Sequence, residues 1–334
     1  GTVSGRLAFK APAFQCLTGD TLIWTPNGLE RMDALITEEG VVSQEIEVMT
    51  SEGFRATSYT FKRYCSDLVK VTLRNGITFR CTKDHPFMLP DGTYVEAQNL
   101  IGGQVVQRGD FLPETENVTA LPVVEYAKHI KKTELALPHQ MTADLAWLLG
   151  FWIGEGSINR QYGYVLWSTT KQNYIEKIQN ITKQYRLNAT VNGNRVQVYS
   201  VAFVDWWYKL TEAPEVSRAN TKKIPSYMFT DKHLTSLVKG MLQSDGSLHV
   251  ASSGHRGKRL VLNYCSNSEI LIEQLQQIMI SKGYHCGSRG LDKRTNNHML
   301  QWSTKAALPI ANDFNLPHKH TIELKNGGKS ESYM

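Results

Sequence analysis

The chain has 334 residues, of which 41% are hydrophobic and 20% charged, and its formal net charge is +6. This length allows about two domains. The ordinary composition excludes collagen-like, low-complexity and wholly disordered proteins, and no run approaches the ~18 apolar residues of a membrane-spanning helix. Residues 1–140 hold 14 Lys and Arg against 17 Asp and Glu, whereas residues 141–334 hold 23 against 14. The net charges of −3 and +9 leave two interpretations of the second part open, a polyanionic partner or a solvated basic surface.

The five cysteines are scattered along the chain. Their spacing fits neither a disulfide framework nor a metal site, and the first nine residues lack the apolar segment of a signal peptide. These features predict a cytoplasmic protein.

The chain up to residue 107 is predicted to be all-β. Runs rich in Val, Ile, Thr and aromatic residues occur at 21–24, 45–50, 67–73 and 78–82, separated by turn signals. Asn75-Gly76 lies between the last two runs and predicts a hairpin.

Two polar segments in this part of the chain contain residues that are candidates for catalysis. Cys16 opens the run Cys-Leu-Thr-Gly-Asp-Thr-Leu-Ile, and His85 ends the run Thr82-Lys83-Asp84-His85. Taken singly, such a cysteine is often a small buried hydrophobe and such a histidine a satisfied polar residue. Together, and with the run Asp-Gly-Thr-Tyr-Val-Glu-Ala at 91–97, they resemble the N-terminal splicing blocks of inteins over residues 16–107.

The intein resemblance implies an incomplete Hint-type splicing domain. In it, the Cys16 thiol attacks the carbonyl of Gln15, His85 protonates the departing amide nitrogen, and Thr82 polarises the peptide bond. Residues 1–15 resemble a segment of family A DNA polymerases through Ser4, Gly5, Arg6, Leu7, Pro12 and Gln15. These residues are therefore expected to be a flank of the host protein, from a phage or bacterial polymerase.

The end of the chain lacks the C-terminal splicing pattern. No His-Asn pair before Ser, Thr or Cys follows Trp302. We expect splicing to need a C-terminal intein fragment or missing downstream sequence. Residues 108–140 are interpreted as a connector and residues 321–334 as a polar tail.

The second part of the chain is predicted to repeat one αβ unit. Apolar helices are expected at 145–154 and 237–244, and each is followed by a strand, an amphipathic helix and another strand. Each helix carries small residues four apart, which lets two helix backbones approach closely. These residues are Gly150 with Gly154, and Gly240 with Ser244.

An acidic residue ends each of the two helices. Glu155 and Asp245 lie 90 residues apart, and the helix dipole opposes each by ~0.3–1 kcal/mol. The repetition favours a divalent cation such as Mg²⁺ between the carboxylates. The alternative is that Gly156 and Gly246 are plain helix caps and the acids are solvated.

The segments Leu-Leu-Gly-Phe-Trp-Ile-Gly-Glu-Gly and Val-Lys-Gly-Met-Leu-Gln-Ser-Asp-Gly resemble the signature helices of LAGLIDADG homing endonucleases. The resemblance covers residues 141–320. It implies an α+β fold of two pseudosymmetric αββαββα halves, in one monomer. It also implies Mg²⁺- or Mn²⁺-dependent cleavage of double-stranded DNA, in a polymerase gene that lacks the intein, with Glu155 and Asp245 as metal ligands.

Two lysines are candidates for a catalytic role. Lys222 begins Lys-Lys-Ile-Pro, which resembles the family's Lys-x-Ile-Pro element, and Lys319 is its candidate counterpart in the internal repeat. Either could instead be an ordinary surface cation.

Polar residues at alternate positions of the predicted strands suit a sheet placed in a DNA major groove. The candidates for DNA contact are Arg160, Arg195, Gln197, Arg259 and Gln301. In contrast, Phe203, Trp206 and Trp207 are predicted to be core residues.

Two alternative functions stay open. The second part could be a LAGLIDADG module that binds DNA or RNA without cleaving it, and the first part could be a Hint domain that only cleaves itself.

Overall fold

The computed structural model describes residues 17–50, 53–73, 77–104, 116–123, 135–213, 219–252, 258–284, 287–292 and 295–317, and the backbone of 322–326 and 329–333. The chain divides into two compact units, Gly1–Phe111 (unit 1) and Leu112–Met334 (unit 2). Among the described residues, no helix has the length and apolarity that crossing a bilayer requires.

Unit 1 is built of short antiparallel strands. They pair as β1–β2, β3–β6, β4–β5, β7–β8 and β9–β10. The strands are β1 (Leu22–Thr25), β2 (Gly28–Arg31), β3 (Gly40–Val42), β4 (Glu47–Thr50), β5 (Gly53–Ala56), β6 (Thr60–Lys62), β7 (Leu68–Thr72), β8 (Thr78–Thr82), β9 (Pro86–Met88) and β10 (Tyr94–Glu96). The described helical pieces are one turn, α1 (Met32–Leu35), and a 3₁₀ turn, Ala97–Asn99.

The sequence-based prediction for unit 1 is confirmed at the level of β-structure. Each of the four predicted runs overlaps a strand, and Thr72 pairs with Thr78 across the predicted hairpin. The Asn75-Gly76 turn itself lies outside the described residues. The remaining strands have three or four residues, which is too short for an alternating pattern to stand out.

Unit 2 contains the same order of elements twice. The first half comprises α2 (Ala143–Glu155), β11 (Gly156–Asn159), β12 (Tyr164–Ser168), α3 (Gln172–Gln184), β13 (Ala189–Asn192), β14 (Arg195–Tyr199) and α4 (Val201–Leu210). The second half comprises α5 (Leu234–Asp245), β15 (Gly246–Ser252), β16 (Lys258–Ser266), α6 (Glu269–Ser281), β17 (Ser288–Leu291), β18 (His298–Ser303) and α7 (Thr304–Asp313).

The sheets of the two halves have equivalent strand orders, β11-β12-β14-β13 and β15-β16-β18-β17. The predicted duplication and the αββαββα arrangement are therefore confirmed for unit 2. In the segment interpreted as a polar tail, β19 (Ile322–Asn326) and β20 (Lys329–Tyr333) pair as an antiparallel hairpin.

Strand alternation and helix caps explain how each half packs. Alternate residues of β12 and β14 point into the core, and Val165, Trp167, Val196 and Val198 are fully buried. The hydroxyls of Thr142, Ser200 and Ser268 accept backbone N–H bonds at the starts of α2, α4 and α6. The predicted core residues Phe203, Trp206 and Trp207 are buried, as expected.

Small residues let α2 and α5 pack against each other. A Cβ atom on Gly150 would lie 1.9 Å from the Leu237 carbonyl oxygen, and one on Gly240 would lie 2.1 Å from that of Trp147. The 90-residue shift that maps Gly150 onto Gly240 also maps Trp147 onto Leu237, so the two contacts are symmetry equivalents. The prediction of a close-packed helix pair is confirmed.

Candidate functional site

The two acidic residues lie at the same end of the α2–α5 pair. Glu155 is the last residue of α2 and Asp245 is the last residue of α5. A Cβ atom on Gly154 would lie 2.0 Å from Ser244 Oγ and 3.3 Å from Asp245 Cβ. Close packing of the small residues thus brings the two carboxyl groups together, and we call them the acid pair.

Burial and like charge make the acid pair unfavourable when both groups are ionised. Burial, followed by repulsion from Glu155, raises the pKa of Asp245 to about 7. Burial also raises the pKa of Glu155, against the opposing effect of the Lys222 ammonium. A cation between two such carboxylates would relieve both effects.

Lys222 reaches the same end of α2. Its ammonium lies within hydrogen-bond distance of four carbonyl oxygens, those of Trp152 (3.2 Å), Ile153 (2.9 Å), Gly154 (3.3 Å) and Gly156 (2.8 Å). Carbonyls at a helix C-terminus lack intrahelical partners, and a cation is favoured there. Burial lowers the pKa of Lys222 to about 8, although Glu155 and Asp245 oppose this change.

Tyr264 is a neighbour of the acid pair that our sequence analysis did not name. It lies on β16 opposite Gly246, and its hydroxyl is buried without a hydrogen-bond partner among the described residues. Burial raises its pKa well above the ordinary value, and the charges of Asp245 and Glu155 add to this effect. Strand alternation could have indicated Tyr264 from the sequence. Neighbouring residues of a strand point to opposite faces, so a polar Asn263 on the outer face of the sheet places Tyr264 on the inner face.

The residues at this site fit a hard divalent cation. Mg²⁺ is commonly bound by one or two carboxylates, with water and substrate phosphates completing the coordination. The acid pair supplies two carboxylates, and the unpartnered Tyr264 hydroxyl can donate a hydrogen bond beside them. Glu155 and Asp245 would hold the ion.

The predicted DNA-contact residues on strands lie on the open faces of the two sheets. Arg195 and Gln197 alternate with the buried Val196 and Val198 along β14. Arg195 is exposed, whereas Gln197 is 8% exposed and its amide oxygen accepts a 3.4 Å hydrogen bond from the Tyr199 hydroxyl. Gln197 is therefore largely covered by its neighbours on that face.

The second sheet has an equivalent polar face. Gln301 on β18 pairs with Asn263 on β16, and its amide donates to the Asn263 side-chain oxygen at 2.9 Å. Arg259 lies four residues before Asn263 on β16 and shares its face.

Arg160 departs from the prediction that it lies on a strand. It occupies the turn after β11, where its guanidinium lies 3.3 Å from an Asp205 carboxylate oxygen and 4.6 Å from the centre of the Tyr208 ring. The ion pair and the ring contact direct Arg160 towards α4.

In unit 1, Thr82 and His85 lie together at the end of β8. Both are buried, and the His85 backbone N–H donates to the Thr82 carbonyl at 3.2 Å. The Thr82 hydroxyl donates to the Asp84 carboxylate at 2.5 Å. The His85 imidazole packs edge-on against Phe87, with ring centres 5.1 Å apart.

The backbone next to Cys16 pairs with the end of β8, beside Thr82. Leu17 forms an antiparallel bridge with Cys81, and the Thr18 N–H donates to the Arg80 carbonyl at 3.0 Å. Cys16 and Lys319, together with the predicted polymerase flank, lie outside the described residues.

Comparison with known proteins identifies a LAGLIDADG-like domain in unit 2. Residues 142–205 match the family model of that description, a range that runs from the start of α2 into α4. It includes Glu155 but not Asp245.

Two curated proteins that are similar to this chain have names that describe different activities. An iron-sulfur cluster assembly SufBD family protein of Mycobacterium leprae is 27% identical over 158 residues, which are 45% of this chain and 17% of the relative. The ribonucleoside-diphosphate reductase NrdEB subunit alpha of Bacillus subtilis is 19% identical over 347 aligned positions, covering 96% of this chain and 29% of the relative. The chain thus spans less than a third of the length of either protein.

Among the solved structures that resemble this chain is I-DmoI in complex with DNA and Mn. It is 15% identical with a TM-score of 0.36, and the match covers 53% of this chain and 98% of that one. The N-terminal LAGLIDADG domain of DUF199/WhiA is 13% identical with a TM-score of 0.35, covering 55% of this chain and 88% of the other.

Proposed function

We propose that unit 2 is a metal-dependent endonuclease of the LAGLIDADG homing type that cleaves double-stranded DNA. The observation that carries this proposal is the acid pair at the end of two close-packed, symmetry-related helices. The match of residues 142–205 to the LAGLIDADG-like domain supports it independently of that geometry.

Each residue of the site would have a distinct task. Glu155 and Asp245 would hold Mg²⁺ or Mn²⁺. When bound, such an ion stabilises charge on the attacking and leaving oxygens of a phosphodiester displacement. Lys222 would hold the end of α2 in place and offset the negative charge of the acid pair. The open sheet faces, with Arg195 and Arg259, would contact the DNA.

The substrate that tests this proposal is a plasmid carrying the host polymerase gene without the insertion. We expect wild-type protein with Mg²⁺ or Mn²⁺ to linearise this plasmid. Glu155→Gln and Asp245→Asn should each lower the rate at least ~100-fold, because each removes a charged ligand of the ion. Glu176→Gln, an exposed acid on α3, is the matched control and should cleave normally.

The outcomes separate the endonuclease from a binding module. Wild-type binding of the plasmid without cleavage at any metal concentration would indicate a module that only binds DNA. Cleavage by the acid-pair variants at the wild-type rate would refute the assignment of the metal site.

We also infer that residues from Cys16 onward in unit 1 form an autocatalytic splicing domain. Thr82 ends β8 and His85 follows it, and both are buried. The Leu17–Cys81 bridge joins β8 to the residue adjoining Cys16. The unrelated names of the two curated relatives support an inserted element, since a segment shared by such proteins does not carry the activity that either name describes.

The splicing step is an N-to-S acyl shift. The Cys16 sulfur would form a bond to the carbonyl carbon of Gln15 as the Gln15–Cys16 amide bond breaks. The Cys16 thiol would lose its proton to solvent and the amide nitrogen would take one from His85, leaving a thioester and a free amino group on Cys16.

Dithiothreitol tests this step because an added thiol cleaves a thioester. We expect wild-type protein to release residues 1–15, and Cys16→Ala to release none. His85→Ala should slow release by ~100-fold, the usual contribution of a general acid. Cys65→Ala, a free cysteine of the same unit, is the control. Unchanged mass of the wild-type protein after treatment would contradict the proposal.

A further inference from the structure

A cleft lined by three lysines lies among the helices of unit 2. Its volume is about 340 Å³, within the range of small-ligand sites. Its lining residues come from the start of α3, from α5 and from the segment after α7, with none from a sheet. They are Lys171, Asn173, Tyr174, Lys177, Lys239, Gln243, Asn315 and Pro317.

The lysines of this cleft are held close together with little compensation by acids. The Lys177 ammonium lies 4.0 Å above the Trp147 ring and 4.0 Å from an Asp144 carboxylate oxygen. The Lys239 ammonium lies 3.0 Å from the Asn315 side-chain amide, whose oxygen accepts from it when the amide is oriented to donate to the Asn312 carbonyl. Burial lowers the pKa of Lys177, and repulsion from Lys239 adds to this while Asp144 opposes it. Three ammonium groups against one carboxylate give the cleft a net positive charge.

The internal symmetry of unit 2 shows that this charge is not required by the fold. Helices α3 and α6 have equal length, and aligning them places Gln274 at the position of Lys177 and Ser268 at that of Lys171. The 90-residue shift between α5 and α2 places Leu149 at the position of Lys239. All three lysine positions are therefore uncharged at the equivalent location, and Glu212, which aligns with Asn315, is paired there with Lys223 at 3.2 Å.

The equivalent location is also filled by the chain itself. The Ile224 N–H donates to the Gln274 side-chain oxygen at 2.8 Å, and the Ser268 hydroxyl donates to the Lys222 carbonyl at 2.6 Å. Gln274 and Ser268 are both buried by this packing. One half thus has a closed neutral contact where the other has an open basic cleft.

We propose that the lysine cleft binds a phosphate group, supplied either by a free nucleotide-like compound or by a nucleic acid strand. Ammonium groups form charge-assisted hydrogen bonds with phosphate oxygens. The exposed side-chain amide of Asn173 provides a further donor, whereas the Gln243 amide nitrogen already donates to the carbonyls of Phe314 and Asn315. The cleft is separate from the acid pair and from the open sheet faces, so this site goes beyond the proposed cleavage activity.

Calorimetric titration of the full chain with inorganic pyrophosphate, in EDTA and at fixed ionic strength, tests this proposal. We expect saturable binding by wild type, and an increase in Kd of about tenfold for Lys239→Gln and for Lys177→Met, because each loses a charge-assisted contact. Methionine keeps an unbranched side chain over Trp147, which preserves the packing. Lys183→Gln, an exposed lysine of α3, is the matched control and should bind as wild type.

A short single-stranded oligonucleotide distinguishes the two sources of phosphate. Displacement of pyrophosphate by the oligonucleotide would identify a nucleic acid strand, and binding of pyrophosphate without displacement would identify a free phosphate compound. Equal Kd values for all variants, or no saturable pyrophosphate binding by folded wild-type protein, would overturn the proposal. Because the titration contains no metal and needs no cleavage, its result is independent of the endonuclease test.

Discussion

At the scale of single residues, the acid pair stores unfavourable electrostatic energy in the metal-free protein. The pKa of Asp245 rises from 3.8 to about 7 through burial and the proximity of Glu155. A carboxyl group whose pKa is higher in the folded state binds more protons there than in the unfolded state. Its contribution to stability is therefore complete below pH 3.8 and is lost as the pH rises through about 7.

This linkage predicts how Asp245→Asn changes stability in EDTA. Wild type should be less stable at pH 8 than at pH 5, since the loss accumulates between about pH 4 and pH 7. The variant should be more stable than wild type at pH 8 by ~1–3 kcal/mol, because it has no buried charge there. Urea unfolding at the two pH values measures the difference. The lowered pKa of Lys222 changes the stability only above about pH 8, so it does not affect this comparison.

Two comparisons make the test specific to the acid pair. Saturating Mg²⁺ should restore the stability of wild type at pH 8 and leave Asp245→Asn unchanged, since binding to the folded state alone stabilises it. Glu176→Gln should follow the wild-type curve. A variant less stable than wild type at pH 8 would contradict a repulsive acid pair.

At the scale of helices and strands, the features that the sequence predicted correctly are those set by residues near one another in the chain. Small residues four apart predicted the α2–α5 contact, because only such residues let two backbones approach to the distances seen at Gly150 and Gly240. Apolar alternation predicted strands after each of the two apolar helices, and β12 and β18 are among the strands that the structure shows. The repeat itself was visible because both halves bury equivalent faces.

The features that escaped prediction depend on contacts distant in the chain. The Lys222 ammonium reaches carbonyl oxygens 66 to 70 residues away, and no local pattern marks such a contact. Gln197 shares a face with the exposed Arg195 but is covered by its neighbours, since burial depends on cross-strand partners. Arg160 follows a strand that ends one residue earlier, and strand ends are hard to place from sequence.

At the scale of the whole molecule, the net charge of +6 divides into −3 for residues 1–140 and +9 for residues 141–334. Only the second part carries the open sheet faces with Arg195 and Arg259. If the first part acts on its own backbone and the second on DNA, the salt dependence of DNA binding should come from unit 2.

This division predicts the effect of salt on duplex binding in EDTA, where no cleavage occurs. About six phosphate contacts would give a slope of log K against log salt near −5. Replacing both Arg195 and Arg259 by glutamine should reduce that slope by about 2, because each arginine releases about one counterion. The matched pair Lys70→Gln and Lys83→Gln, exposed in unit 1, should leave it unchanged. Fluorescence anisotropy across a salt series gives both slopes, and an unchanged slope for the arginine pair would place the phosphate contacts away from the sheet faces.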